Sequence, residues 1–236
     1  MTGTGINWLA IGLAALAIAT LLVMHRRYRR RVRRVRGAYF QRCLGLFETY
    51  RILQDDVDFP ALEGRYRGFD IRLDPVVDHI AVRKLPSLWL LATLRSPLPL
   101  EGVTDFLARP LNTEFYSPSI HLEHRLATPA GFPDTVQVRT DRPDVQPSAD
   151  RLRPYGALFG DPRMKELVVG PGGVRLVYQA AQGQRAQYMV LRQADFGDEL
   201  ALDPAIARAL LDHAIAIHHD LNEVARSDDQ ARNAKT

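Results

Sequence analysis

Ile6 to Met24 reads INWLAIGLAALAIATLLVM, and His25 to Arg36 continues it as HRRYRRRVRRVR. The first piece is 19 residues without a charged side chain. As a helix it spans roughly 28 Å, close to the hydrocarbon thickness of a bilayer. Trp8 lies near one end and Tyr28 just past the other, where aromatic rings favour the membrane interface. The second piece carries eight arginines: Arg26, Arg27, Arg29, Arg30, Arg31, Arg33, Arg34 and Arg36. A cleaved signal peptide would have a basic start, a shorter apolar core and a small-residue cleavage site. Here the start, MTGTG, has no basic side chain, the apolar run is longer, and the arginines follow it. The pattern predicts a retained transmembrane helix over 6–24.

Basic flanks of a span stay in the cytoplasm. The expected topology is therefore a short non-cytoplasmic N-terminus (1–5), with everything after the span in the cytosol of a bacterial inner membrane. Ala10/Ala14 and Ala15/Ala19 could admit a second helix, although alanine-rich spans make such pairs by chance. The arginines fix topology and also suit anionic lipid headgroups.

The whole chain has 236 residues and a formal charge of +4. Removing the eight arginines from 31 basic residues leaves 23 against 27 acidic, so 37–236 carries −4. An acidic body disfavours nucleic-acid binding. Two hundred residues suffice for one sizeable core. The single cysteine, Cys43, excludes an intramolecular disulfide and a Cys-rich zinc site.

After the span, Tyr28, Val32, Val35, Tyr39, Cys43, Leu46, Tyr50 and Leu53 recur at steps of three and four. This predicts an Arg-rich amphipathic helix over 25–53, its stripe packed on the body, on a partner, or on a copy of itself as a homodimer. QDDVDFP at 54–60 reads as a solvated linker. The domain expected beyond it covers 61–225, with a disordered tail at 226–236.

Period-two alternation marks strands at Phe69–Leu73, Ile120–Leu126, Val136–Val138 and Val174–Tyr178. LWLLATL at Leu88–Leu94 is apolar throughout and predicts a central strand, and Tyr188–Leu191 is a further candidate. Gly170-Pro171-Gly172-Gly173 reads as a hairpin turn. Shorter helices are expected at 103–109 and 149–159. Asp203 and Pro204 open a C-terminal helix with a stripe of Ile206, Leu210, Ala214, Ile217, Leu221 and Val224. Strands and helices do not alternate regularly. The fold class expected is α+β: one transmembrane helix, the basic helix, and a mostly antiparallel sheet packed with a long C-terminal helix. The segments GRYRGFDIRL, VQVRTDRPDVQPSADRLRPYGALFG and LVVGPGGVRLVYQ, with the closing helix, resemble uncharacterised bacterial membrane-anchored α+β domains. That resemblance covers roughly 61–225 and implies architecture, not activity.

Motifs for chemistry are sparse. GPGG lacks the Lys-Ser/Thr of a phosphate-binding loop, and neither G-x-G-x-x-G nor G-x-S-x-G occurs. None of the serines Ser87, Ser96, Ser117, Ser119, Ser148 and Ser227 lies in a nucleophile context. Cys43 falls on the apolar stripe and reads as a packed thiol. His121 and His124 are three apart in an expected strand, on opposite faces. His213 lies near the apolar stripe of the last helix, and His218 and His219 are expected to face away from it. No catalytic, cofactor or metal residues are expected. Trp89, Phe106, Phe115, Tyr116 and Phe159 could line a pocket or fill the core. Arg65, Arg67 and Arg72 could form a basic face or a solvated one. The function expected is a scaffold, adaptor or assembly factor that binds another membrane or membrane-associated protein. The alternatives are a tethered lipid- or small-ligand-binding domain, or an enzyme gathering residues such as His121, His213 and Asp70.

Overall fold

A computed structural model of the chain describes residues 3–78, 85–144, 149–183 and 200–233, together with Arg185, Tyr188, Ala194, Phe196 and Gly197. Of the Tyr188–Leu191 strand expectation, all but Tyr188 lies outside these residues.

Helix α1 runs Gly3–Gly37. Its apolar half stands clear of the body: Trp8, Leu9, Ile11, Leu13, Leu16, Ile18 and Leu21 are all exposed. Among the described residues, one helix is thus long and apolar enough to cross a membrane. It does not continue to residue 53. It closes with bonds three residues back, from Ala38 to Val35 and from Tyr39 to Arg36, at a glycine, a poor helix former. A 3-10 helix follows at Gln41–Leu46, then strand β1 at Thr49–Leu53. Tyr39 and Cys43 of the expected stripe are buried in the body, Val32, Val35 and Leu46 are half-buried, and Tyr50 is exposed on β1. The spacing of three and four persists by coincidence, while the burial comes from tertiary contact.

The body is a nine-stranded antiparallel sheet packed with a C-terminal helix. The remaining strands are β2 (Ala61–Tyr66), β3 (Phe69–Asp78), β4 (Ser87–Arg95), β5 (Thr104–Ala108), β6 (His124–Leu126), β7 (Val136–Thr140), β8 (Met164–Gly170) and β9 (Gly173–Gln182). Their order in the sheet is β1-β2-β3-β4-β9-β8-β5-β7-β6. The predicted central strand β4 is paired on both sides, to β3 and β9.

The sheet's alternation sorts two faces. Ile71 stands opposite Leu94, Leu94 opposite Val174, and Val174 opposite Val169. These residues, with Leu62, Leu73, Leu90, Ala92, Leu167 and Leu176, form the core. Helix α3, Pro204–Asn233, lies over β4 and β9. It contributes Ala207, Leu210, Leu211, Ala214, Ile217 and Leu221. Asp203 caps it through the Ala205 N–H at 2.8 Å. The helix runs on past Arg226 to Asn233, where a disordered tail was expected. A short helix α2 (Ala149–Leu152) leads into a 3-10 helix at Arg153–Gly160, with Pro154 in its first turn.

Two further expectations are corrected. Residues 103–109 do not form a helix, because Thr104–Ala108 is strand β5, buried at every position. A strand covered on both faces loses the period-two signal. Residues 120–126 are not one strand: Pro118–His121 is a 3-10 helix, and pairing to β7 starts at His124.

The GPGG turn does join β8 to β9 as a hairpin. Gly173 has φ +128°, and a Cβ there would sit 2.1 Å from the Leu94 carbonyl oxygen. Gly173→Ala is therefore expected to destabilise the fold by more than about 1 kcal/mol, read as a lower urea midpoint.

Candidate functional site: a clasped neck and a groove over a buried acid pair

The segment 54–60 is not a free linker. It is the turn between β1 and β2, and it grips the arginine neck. Asp56 pairs with Arg29, and the Arg29 hydrogen bond holds the Asp56 carboxyl below its ordinary range. Gln54 Nε2 donates to the Arg33 carbonyl at 2.9 Å and to the Asp58 carbonyl at 3.0 Å. Arg36 donates to the Val57 carbonyl at 3.0 Å, and its guanidinium lies over the Phe59 ring. Below the clasp, Tyr39 packs edge-on against Phe40 and Phe59. The Tyr39 carbonyl accepts from Leu202 N, and the Cys43 thiol donates to the Leu202 carbonyl. Burial pushes that thiol up to about 11, so Cys43 is a packing residue. Of the eight arginines, only Arg36 is half-buried; the other seven stay exposed along the helix.

The second feature lies on the sheet face opposite α3. Across β1–β4 this face is a charge ladder. Glu63 accepts from Arg51 at 2.5 Å, Arg72 at 2.8 Å and Arg95 at 3.2 Å. Those hydrogen bonds, Arg51's first, hold the Glu63 carboxyl near 2. Arg72 also pairs with Asp74 and Arg65 with Glu48, while Arg67, in the turn between β2 and β3, reaches the other way to Asp212 of α3. Arg65, Arg67 and Arg72 thus form balanced pairs.

Across β5, β8 and β9 the same face is polar and buried. The pairing of β8 with β9 is irregular between Met164 and Glu166, and the extra residue is Lys165. Such a bulge re-aims side chains. Lys165 Nζ donates to the carbonyls of Ala108 and Arg109 at 2.9 Å each, and to Glu114 at 2.7 Å. Glu114 also accepts from the N–H groups of Leu111 and Thr113. Burial alone would raise its pKa, but Lys165 and the two backbone N–H groups together outweigh it and the net shift is downward. This pair pins the loop after β5, which turns through left-handed backbone at Arg109 and Asn112.

Beside it lie Asp105 and Glu166, both 0% exposed. Among the described residues neither Asp105 oxygen has a hydrogen bond of good geometry, and neither does Glu166 Oε1. Glu166 Oε2 accepts from Arg175 at 3.4 Å. Burial raises the Asp105 pKa well above normal, and the neighbouring Glu166 charge adds to it. Burial raises Glu166 too, opposed by Arg175. Two buried carboxyls facing one guanidinium titrate as a unit. Ser119 stands beside Asp105 and Ser117 beside Glu166.

Ser117 and Ser119 also line a groove of about 510 Å³. Leu107 and Pro110, Phe115 and Ile120 supply apolar walls, and Gln137 and Arg139 of β7 complete them. Phe115 is 53% exposed and Ile120 71%. Of the aromatic residues weighed from sequence, Phe115 lines the groove. Trp89 and Tyr116 pack together with ring centroids 5.7 Å apart. Phe106 and Phe159 are core, joined through Phe132.

The remaining candidates do not converge. Asp70 is exposed on β3, His121 and His124 are exposed near β6, and His213 and His219 are exposed on α3. His218 does not face away from the core as expected. It is buried, edge-on to Phe69, with a ring nitrogen 3.3 Å from the Pro97 carbonyl. Burial lowers its pKa. No motif scan would find Asp105, Glu114, Lys165 or Glu166. Asp105, Lys165 and Glu166 leave one trace, a charge inside a buried apolar strand, TDFLA and MKELVVG; Glu114, in the loop after β5, leaves none.

Fold and site together define an α+β body behind a candidate membrane helix. Compared with known protein families and with curated proteins, the chain matches none.

Proposed function

We propose that this chain is a single-pass protein of a bacterial inner membrane that serves as a scaffold or adaptor for a membrane complex. Its N-terminus lies outside and its body in the cytosol, as the eight arginines after the span favour. The exposed arginines rest against anionic headgroups. The observation that carries the reading is the clasp. Asp56, Gln54 and Val57 fasten the body to the neck at Arg29, Arg33 and Arg36. A body held this way presents a constant face to a neighbouring membrane protein, and a flexible linker would not.

Crosslinking in native membranes, followed by identification of co-purified proteins, tests the reading. A defined partner at stoichiometric yield is the expected result. Recovery of the chain alone would overturn it. A C-terminal reporter should be active only when it is a cytosolic type; activity confined to an exported reporter would reverse the orientation.

A second reading has its own observation. The groove falls within the size range of small-molecule sites, roughly 300–1,000 Å³, and its walls are largely apolar. It supports a membrane-tethered domain that binds a small ligand.

A further inference from the structure

We infer that the groove binds a single-chain amphiphile with an anionic head, the chain between Phe115 and Ile120 and the head on Arg139. The inference rests on the second reading above, that the groove is a ligand site.

The apolar part follows from what the walls leave uncovered. Phe115 and Ile120 are more than half exposed at the rim, with Leu107 and Pro110 deeper in the lining. Contiguous exposed apolar surface of this kind marks an interaction site.

The head follows from the charges. Two charged residues line the groove, Glu114 and Arg139. Glu114 is already answered by Lys165 and two backbone N–H groups. Among the described residues no acid pairs with Arg139. Its Nη1 donates to the Leu122 carbonyl at 2.9 Å. Its cross-strand neighbour on β6 is the exposed Arg125. Its neighbour on β5 is Asp105, which is fully buried and whose pKa burial raises well above the ordinary carboxylate value. The end of the groove at Arg139 is therefore positive. A guanidinium has five N–H donors in a fixed fork that suits carboxylate or phosphate. A neutral head of the same size would leave those donors unmatched. Fatty-acid carboxylates and lysophospholipid phosphates share the required chemistry.

The test uses the full chain in nanodiscs of neutral lipid. Three photoreactive probes of equal chain length are compared: a fatty acid, a lysophosphatidic acid and the fatty alcohol. Labelled peptides are mapped by mass spectrometry. The anionic probes should label the segment 107–120 about tenfold more than the alcohol, the worth of one charge-assisted hydrogen bond. Whichever anionic probe labels more identifies the head. Arg139→Gln should bring the anionic probes down to the alcohol level, Arg139→Lys should restore part of the difference, and Ile120→Asp should remove labelling by all three. Equal labelling by acid and alcohol in the wild type would overturn the anionic head and leave the ligand site standing. No labelling of the segment by any probe would overturn the ligand site itself.

Discussion

Lys165→Met should destabilise the fold by about 3–5 kcal/mol, the cost of leaving a buried charge without its partner. The reason is specific to this pair. Lys165 has all three N–H donors engaged, one on Glu114. Remove the ammonium, and Glu114 keeps two backbone N–H bonds but loses its counter-charge in a buried place. The Ala108 and Arg109 carbonyls lose their partner as well. Set against a total stability of about 5–15 kcal/mol, this is a large fraction. The double variant Lys165→Met/Glu114→Gln should recover most of the loss, because the amide oxygen still accepts from Leu111 and Thr113 without a charge. Urea unfolding of the full chain in detergent, followed by tryptophan fluorescence, measures both. A loss below about 1 kcal/mol would place the pair in the solvated class.

Asp105→Asn should make the protein more stable at neutral pH, and the advantage should grow as pH rises. The sign follows from linkage. The folded state raises the Asp105 pKa, so it keeps a proton that the unfolded chain releases above the ordinary carboxylate value. The stability tied to that proton is full below the ordinary value and is lost as pH climbs toward the folded one. The slope is about 1.4 kcal/mol per pH unit for one proton. Asparagine cannot ionise, so its curve lacks that slope. It also offers an N–H toward Glu166, whose Oε1 has no bond of good geometry among the described residues. Glu63 does not confuse the comparison. Its folded pKa near 2 makes its contribution present above its unfolded value and lost only on acidification below it. His218 is lowered by burial and affects both proteins alike. Melting temperatures of wild type and variant at pH 5, 6, 7 and 8 should diverge. Parallel curves would mean that Asp105 is not the proton holder.

Much of the architecture is legible in the sequence, and the parts that are not share a cause. The apolar run and the arginine block need no partner to be read, since each is carried by adjacent residues. Strand β4, the GPGG hairpin and the capped start of α3 are likewise local. The spacing predicts too long a basic helix because Tyr39 and Cys43 fall at helical positions while being buried by contacts with Phe59 and Leu202. Strand β5 reads as a helix because pairing on both sides and covering on both faces leave it no alternation. The 54–60 segment looks like a solvated linker, yet its Asp56 pairs with Arg29, 27 residues earlier.

The sequence by itself determined the division of the chain into an uncharged span, a basic neck and an acidic α+β body. It could do so because each property is carried by neighbouring residues and needs no folding to exist. Tertiary structure alone decided the clasp, the buried pairs Lys165–Glu114 and Asp105–Glu166, and the groove beside them. Asp105 and Glu166 are sixty-one positions apart in sequence and meet because β8 pairs with β5. Lys165 reaches Glu114 across the same pairing, over 51 residues of chain. Desolvation gives these groups their chemistry, and desolvation exists only once strands distant in sequence close over them.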